Sequence, residues 1–102
     1  MYRARERIEH RQWIEELERI ADELGLSSVA RTHAIDLFLA GVPEADRSKR
    51  TGVAASIYAG ALVAGEGCSQ GAVGDVAGVS RLSIQQHWKD RLAAAGLKPP
   101  DW

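Results

Sequence analysis

Residues 69–92 read SQGAVGDVAGVSRLSIQQHWKDRL, and this stretch decides the fold. Its apolar and small residues are spaced as two short helices that cross at a steep angle require. Gly74 lies where the first helix must approach the second without a bulky side chain. Gly78 supplies the turn, because a backbone with positive φ costs glycine least, and Ser80 follows as the N-cap of the second helix. We therefore predict a helix-turn-helix over residues 69–95.

The second of these helices has two different sides. Ile84, Trp88 and Leu92 repeat every four residues and are expected to face the core. The outward positions of the first turns that can read DNA bases are Arg81, Leu82, Gln85 and Gln86. Arg and Gln form paired hydrogen bonds with guanine and adenine edges, and Leu contacts the thymine methyl group. This side predicts a helix that reads double-stranded DNA; the alternative is a packed helix pair whose polar positions are only solvated.

The charge of the chain is unevenly distributed. The formal net charge is −1, yet residues 13–24 carry five acidic residues and one Arg, whereas residues 79–98 carry four basic residues and one acidic residue. Neutralisation of phosphates dominates binding to nucleic acid, so the distribution matters more than the sum. The predicted phosphate contacts are Arg47, Lys49, Arg50 and Lys89. For the three cations of residues 47–50, the alternative is a loop that only keeps a helix end solvated.

The rest of the chain predicts three more helices. They are a long amphipathic helix over residues 1–24, which ends at Gly25 and has Ile8 on its apolar side; a helix that starts at Ser27 or Ser28, carries Val29 and ends near Gly41; and a helix over residues 51–65 that is rich in small residues and follows a charged loop over residues 44–50. Small side chains let neighbouring helices pack closely, so the third helix is expected at the centre. The predicted fold class is all-α: a five-helix bundle forming one domain over residues 1–98, with a tail at 99–102 whose Trp102 docks on the bundle.

Composition excludes several classes of protein. With 45% hydrophobic and 26% charged residues and no long apolar run, the chain is expected to be soluble, outside the membrane and cytoplasmic, associated with the nucleoid. The single Cys68 allows neither an internal disulfide nor a zinc site with paired cysteines. His33 and Asp36 suggest acid–base chemistry, but no nucleophile or partner stands at a matching spacing. We expect no metal, no cofactor, no small-molecule substrate and no enzymatic activity.

Several segments together resemble a known family. They are Leu24-Gly25-Leu26, the run GVAASIY at 52–58, Val76-Ala77-Gly78-Val79-Ser80, Ser83-Ile84 and Trp88-Lys89. This pattern is similar to the cyclin-box repeat of the general transcription factor B family, especially the second repeat of its archaeal members, and it covers the chain from about Trp13 onward. The resemblance implies a cyclin-like bundle.

The resemblance also implies a function. In that family, this repeat reads a promoter element beside the TATA box through its helix-turn-helix, and other surfaces hold the TATA-binding protein. By the resemblance, the positions on the DNA-contacting helix are Ser80, Leu82, Ser83, Gln85 and Lys89. Arg81 stands where the family often has an acid, Gln85 and His87 stand where it often has Arg, and Arg50 replaces a usual proline. An altered sequence preference is expected, since each base-edge pair contributes about 1–3 kcal/mol of discrimination.

The resemblance is to one repeat, without the family's zinc ribbon or second repeat. The expected function is therefore a DNA-binding module that regulates transcription initiation without recruiting polymerase by itself. The alternative is an adaptor that binds the TATA-binding protein or another factor without reading DNA. A homodimer that imitates the tandem repeats, with the first helix at the interface, is a further possibility to test.

Overall fold

Five helices account for most of residues 8–97, the part of the chain that the computed structural model describes. They are α1 (Arg11–Leu24), α2 (Ser28–Leu39), α3 (Asp46–Val63), α4 (Gln70–Ala77) and α5 (Arg81–Ala94). No strand is present within these residues, so the all-α prediction is confirmed. The predicted tail with Trp102, and the first seven residues of the predicted first helix, lie outside the described residues.

Helix α3 is the centre of the bundle, as its small residues predict. It contacts each of the other four helices, and nine of its residues are buried: Gly52, Val53, Ala54, Ala55, Ser56, Ile57, Ala59, Gly60 and Ala61. A Cβ atom added to Gly60 would lie 2.7 Å from the backbone nitrogen of Ala34 in α2. The α2 and α3 backbones are therefore almost in contact at this point.

Large apolar side chains of the outer helices surround α3. Leu17 and Ile20 of α1 and Phe38 of α2 are buried in one cluster with Ile57. A second cluster joins α5 to α3 through Trp88 and Leu92, together with Leu37, Ala55 and Ala59. The ring of Tyr58 meets that of Trp88 edge to face, with centroids 5.3 Å apart. The predicted inward side of the last helix is thus confirmed.

The link between α4 and α5 has the predicted construction. Gly78 has φ of 74° and lies directly after α4, in the left-handed region that favours glycine. The backbone N–H groups of Gly78 and Val79 donate to the carbonyl oxygen of Gly74, at 2.8 and 3.1 Å. A Cβ atom at Gly74 would lie 2.7 Å from the carbonyl oxygen of Val79. The Ser80 hydroxyl accepts from the backbone nitrogen of Ser83 at 3.1 Å and caps α5.

The predicted charged loop over residues 44–50 is wrong, because α3 begins at Asp46. After Pro43 and the extended Ala45, the sequence contains no further proline or glycine until Gly52, so the helix starts early. Asp46 in the first turn favours this start, since a carboxylate interacts favourably with the positive end of the helix dipole. The three cations of this segment therefore point from different sides of a helix.

Ile8, on the predicted apolar side of the first helix, and Val29 are both exposed. Ile8 is 77% exposed and lies in a helical segment that the turn at His10 (φ −114°, ψ 27°) separates from α1. The ring of His10 packs edge-on against Phe38, with centroids 6.5 Å apart. Val29 is 56% exposed because Ala30 and Ala34, one helical turn apart, face the core from α2, and Val29 points away from them.

The close contact at Gly74 gives a first prediction. Replacing Gly74 with Ala should lower the free energy of unfolding by about 1–3 kcal/mol, since the new methyl group would meet a backbone carbonyl that cannot rotate away. Gly71 in the same helix is the matched control, because its nearest neighbour is a side-chain atom 3.9 Å from an added Cβ. Gly71→Ala should be neutral or stabilising by up to about 1 kcal/mol. Urea denaturation followed by circular dichroism measures both; equal effects would contradict the packing described.

The link between α3 and α4 is tied to the start of α2. The carboxylate of Glu66 accepts one hydrogen bond from the backbone N–H of Ser27 at 2.9 Å and a second, short one from the Ser27 hydroxyl. The same hydroxyl accepts from the backbone nitrogen of Ala30 and caps α2. These bonds from Ser27 hold the pKa of Glu66 below its ordinary value of 4.5.

This contact predicts a pH-dependent contribution to stability. Because the pKa is lower in the folded chain than in the unfolded chain, the contribution is complete above the unfolded pKa and is lost as the pH falls through the folded value. Wild type should therefore be more stable than Glu66→Gln at neutral pH, and the difference should shrink below pH 4.5. Thermal unfolding of both proteins between about pH 3 and 7 measures this, with Glu18→Gln on α1 as the charge-matched control. A difference that is independent of pH would contradict it.

Candidate nucleic-acid interface

The outward side of α5 is an exposed strip with the predicted base-reading side chains. Arg81, Leu82, Gln85 and Gln86 are all exposed, and Leu82 retains 64% of its accessible surface. A helix turns by about 100° per residue, which places Leu82 and Gln86 opposite the buried Ile84 and Trp88. Helix α1, with its acidic residues, makes no contact with α5 within the described residues. We call Arg81, Leu82, Gln85 and Gln86 the reading strip.

Ser80 and Ser83, which the resemblance assigns to DNA contact, form hydrogen bonds with each other at the start of α5. The hydroxyl oxygens of Ser80 and Ser83 lie 2.9 Å apart, within hydrogen-bonding distance, and Ser80 also caps the Ser83 backbone nitrogen. Ser83 is only half-buried and Ser80 is exposed, so both are at the edge of the strip. Their clear structural role is to fix the first turn of α5 beneath Arg81 and Leu82.

Gln85 is held by a residue that the sequence analysis treats only as the start of a helix. The side-chain nitrogen of Gln70 donates to the side-chain oxygen of Gln85 at 2.5 Å. The bond joins the first residue of α4 to the second turn of α5 and leaves the amide nitrogen of Gln85 as the free donor. Positions 70 and 85 are too far apart in sequence for a helical spacing to reveal this pair. Only the crossing of α4 over α5 brings them together.

The predicted phosphate contacts do not share one surface. Lys89 is half-buried and lies over the ring of Trp88, 5.6 Å from its centroid, on the same side of α5 as Gln85. Arg50 instead turns toward α1, where its guanidinium lies 3.7 Å from the carboxylate of Glu16 and 5.8 Å from the ring centroid of Trp13. We therefore leave Arg50 out of the candidate interface.

Lys49 is also directed away from α5. Its ammonium group lies 3.7 Å from the carboxylate of Asp46, and its side chain is mostly buried beside a cavity that His10 and Leu39 also line. Arg47 points to the opposite side of α3 and lines a different cavity, next to α5. Of the three cations in residues 47–50, only Arg47 therefore lies beside the helix that carries the reading strip.

Arg91 joins Arg47 at that cavity, although the sequence analysis counts it only as a charge. Its guanidinium donates to the carbonyl oxygen of Gly41 at 2.7 Å and is half-buried. Removal of this group from water lowers its pKa, and the neighbouring carboxylate of Asp90 partly opposes the shift. At about 100° per residue, Arg91 and Lys89 project from opposite flanks of α5. Lys89 therefore lies on the same side of α5 as the reading strip, whereas the half-buried Arg91 lies toward the buried side.

Other chemistries find no support in the described residues. Residues 8–97 contain no group of three or more His, Cys, Asp or Glu side chains placed to hold a metal ion. Helices in this range are all too short or too polar to cross a membrane. Cys68 is half-buried, and burial raises the pKa of its thiol, which disfavours the reactive thiolate form.

Several known proteins are similar to this chain in sequence. No family model matches the chain. Transcription initiation factor IIB of Pyrococcus horikoshii is 34% identical to it over 89 residues, an alignment that covers 80% of this chain. Transcription initiation factor IIB of Pyrococcus abyssi and transcription initiation factor IIB 1 of Thermococcus kodakarensis are each 32% identical over 85 residues. The chain is a relative of transcription initiation factor IIB.

This relationship confirms the resemblance that the segments at 52–58 and 76–80 predict. The chain spans 28% of the length of the initiation factors that it matches, so the match concerns one portion of those proteins. It supports a role related to transcription initiation.

Arg50 points toward α1 and Arg47 points toward α5, so the two should contribute differently to stability. Arg50→Ala should lower the free energy of unfolding by about 0.5–1.5 kcal/mol, through loss of a partly exposed ion pair and a cation–π contact. Arg47→Ala should change stability by less than about 0.5 kcal/mol, because Arg47 is exposed and forms no ion pair within the described residues. Urea denaturation of the two variants measures the contrast. Equal losses, or a larger loss for Arg47→Ala, would contradict the placement of these side chains.

Proposed function

We propose that this relative of transcription initiation factor IIB is a module that binds double-stranded DNA and acts in the regulation of transcription initiation inside the cell, at the nucleoid. Helices α4 and α5 with the turn between them act as the helix-turn-helix. The observation that carries the proposal is the reading strip, an exposed set of one Arg, one Leu and two Gln in the first turns of α5. These are the positions from which a recognition helix contacts bases in the major groove.

The chemistry of the strip suits base edges. Arg81 is free of ion pairs within the described residues and presents a guanidinium that can form two hydrogen bonds with guanine. Leu82 offers an apolar contact for a thymine methyl group. The amide nitrogen of Gln85 donates to acceptors such as guanine O6 or purine N7, because its oxygen already accepts from Gln70. Arg81 therefore favours guanine, and the glutamines can pair with adenine.

The charges also support this orientation. Much of the negative charge lies on α1, where Arg19 pairs with Glu16 and Glu23 at 2.7 and 2.5 Å. Since α1 does not contact α5 within the described residues, this charge is kept away from the proposed DNA contact. Lys89 extends the reading strip by one turn and can approach a phosphate there, and Arg47 lines the cavity next to α5.

A test starts from selection of preferred sites in a randomised duplex pool, followed by titration of the selected duplex at several salt concentrations. The logarithm of the affinity should fall linearly with the logarithm of salt concentration. Arg81→Ala should lose about 1–3 kcal/mol on the selected site and little on random DNA, whereas Lys89→Ala should weaken both and reduce the salt slope by about 1.

The matched control is Arg11→Ala on α1, an exposed cation that pairs with Glu15 at 3.2 Å and should have no effect on DNA. Affinity that does not depend on salt, or equal effects of Arg81→Ala and Arg11→Ala, would reject the proposal.

The acidic surface of α1 favours a second candidate, an adaptor that binds a basic partner such as the TATA-binding protein. Glu15, Glu18 and Glu23 are exposed on this helix, which would suit a basic protein better than DNA. The variant Glu15→Lys/Glu18→Lys should abolish capture of such a partner, and Arg81→Ala/Lys89→Ala should leave it unchanged. The opposite pattern would reject the adaptor.

Sedimentation of the chain alone measures its oligomeric state and so tests the homodimer.

A further inference from the structure

We propose that the cavity between the start of α3 and the second half of α5 is a binding site for a phosphate group. The cavity has a volume of about 400 Å³, and the polar side chains that line it are Arg47, Ser48, Thr51, His87, Asp90 and Arg91. We call it the Arg47–Arg91 cavity. The site does not depend on base reading by α5, although a phosphate of the DNA backbone is one source of its ligand.

Arg91 forms no ion pair within the described residues. Arg91 is half-buried, and its partner within the described residues is the carbonyl oxygen of Gly41, a neutral group. The carboxylate of Asp90 lines the same cavity but lies beyond ion-pair distance from both Arg47 and Arg91. A guanidinium removed from water without a carboxylate partner is costly, and a bound anion would supply the missing charge.

The guanidinium groups at the cavity are held differently. One terminal nitrogen of the half-buried Arg91 donates to the Gly41 carbonyl oxygen at 2.7 Å, and this bond restrains its orientation. Its planar group is therefore preorganised, whereas Arg47 opposite is exposed and can close over a ligand. Guanidinium groups match the oxygens of phosphate better than any other side chain.

One hydroxyl adds to this set. Ser48 and Thr51 line the cavity from the first turns of α3, but the Thr51 hydroxyl donates to the backbone carbonyl oxygen of Arg47 at 3.5 Å. The Ser48 hydroxyl is therefore the further donor that the cavity offers.

The single acid of the cavity defines the charge of the ligand. Two guanidinium groups and one carboxylate give the cavity a net charge of +1 when His87 is neutral. A phosphate diester carries one negative charge and matches this net charge. The volume of about 400 Å³ exceeds that of a bare phosphate and leaves space for an attached sugar.

The direct test uses inorganic phosphate as the probe, with ¹⁵N-labelled protein followed by NMR at constant ionic strength. Amide signals of Arg47, Ser48, Thr51 and Arg91 should shift with a common saturation curve. Arg47→Ala and Arg91→Gln should each weaken binding at least about 5-fold, and Asp90→Asn should strengthen it by a similar factor. Arg91→Gln also removes the hydrogen bond to Gly41 and could prevent folding. In that case Arg47→Ala, which removes no such bond, still tests the site.

The charge-matched controls are Arg11→Gln and Glu18→Gln on α1, which change net charge by the same amounts and should leave phosphate binding unchanged. The proposal is overturned if the shifts are spread over the surface, or if the controls alter the affinity as much as the cavity variants do.

A duplex titration then identifies the source of the phosphate. If DNA supplies it, Arg47→Ala and Arg91→Gln should each weaken duplex binding and reduce the salt slope by about 1, as Lys89→Ala does on the other flank. If a small phosphorylated molecule supplies it, inorganic phosphate still binds, while duplex binding is unchanged by both variants. Loss of salt-dependent duplex binding in wild type would reject the proposed function and leave the phosphate result standing. Absence of phosphate binding together with unaltered duplex binding in the variants rejects the cavity site alone.

Discussion

The near contact of helix backbones is the constraint on which the rest of this structure depends. At Gly60, α3 lies against the backbone of α2, and at Gly74, α4 lies against the carbonyl that begins the turn into α5. At each position an added Cβ atom would lie 2.7 Å from a backbone atom, which is closer than real Cβ atoms approach. Glycine is therefore required at both places for steric reasons. Trp88 and Leu92 of α5 are buried against α3, and this burial leaves the opposite side of α5 exposed.

Local rules account for the parts of the fold that are predictable from sequence. The turn at Gly78, the cap at Ser80 and the four-residue spacing of Ile84 and Trp88 each depend on neighbours within one or two turns, and all three are found as predicted. The predicted start of α3 is wrong, because a run of charged residues does not prevent a helix. The loop ends at Ala45, and the charged residues from Asp46 onward are helical.

The candidate site is less predictable, because its contacts join distant parts of the chain. The exposed strip of α5 follows from helical periodicity. The contacts of Arg50 with Trp13 and Glu16, the bond from Gln70 to Gln85 and the position of Arg91 beside Gly41 do not, since each joins residues that are 15 or more positions apart in sequence. A count of basic residues treats Arg47, Arg50 and Arg91 alike. In the fold, Arg50 forms an ion pair with Glu16, Arg91 bonds the carbonyl oxygen of Gly41, and Arg47 is exposed.

The contact at Gly60 limits how α2 and α3 can move. Two helices whose main chains touch at one point cannot rotate past one another there without separating, and separation would expose the buried side of α3. Reorientation of α2 against α3 is therefore unfavourable. The proposed DNA contact is expected to involve rearrangement of side chains on α5 rather than a change in the packing of this helix pair.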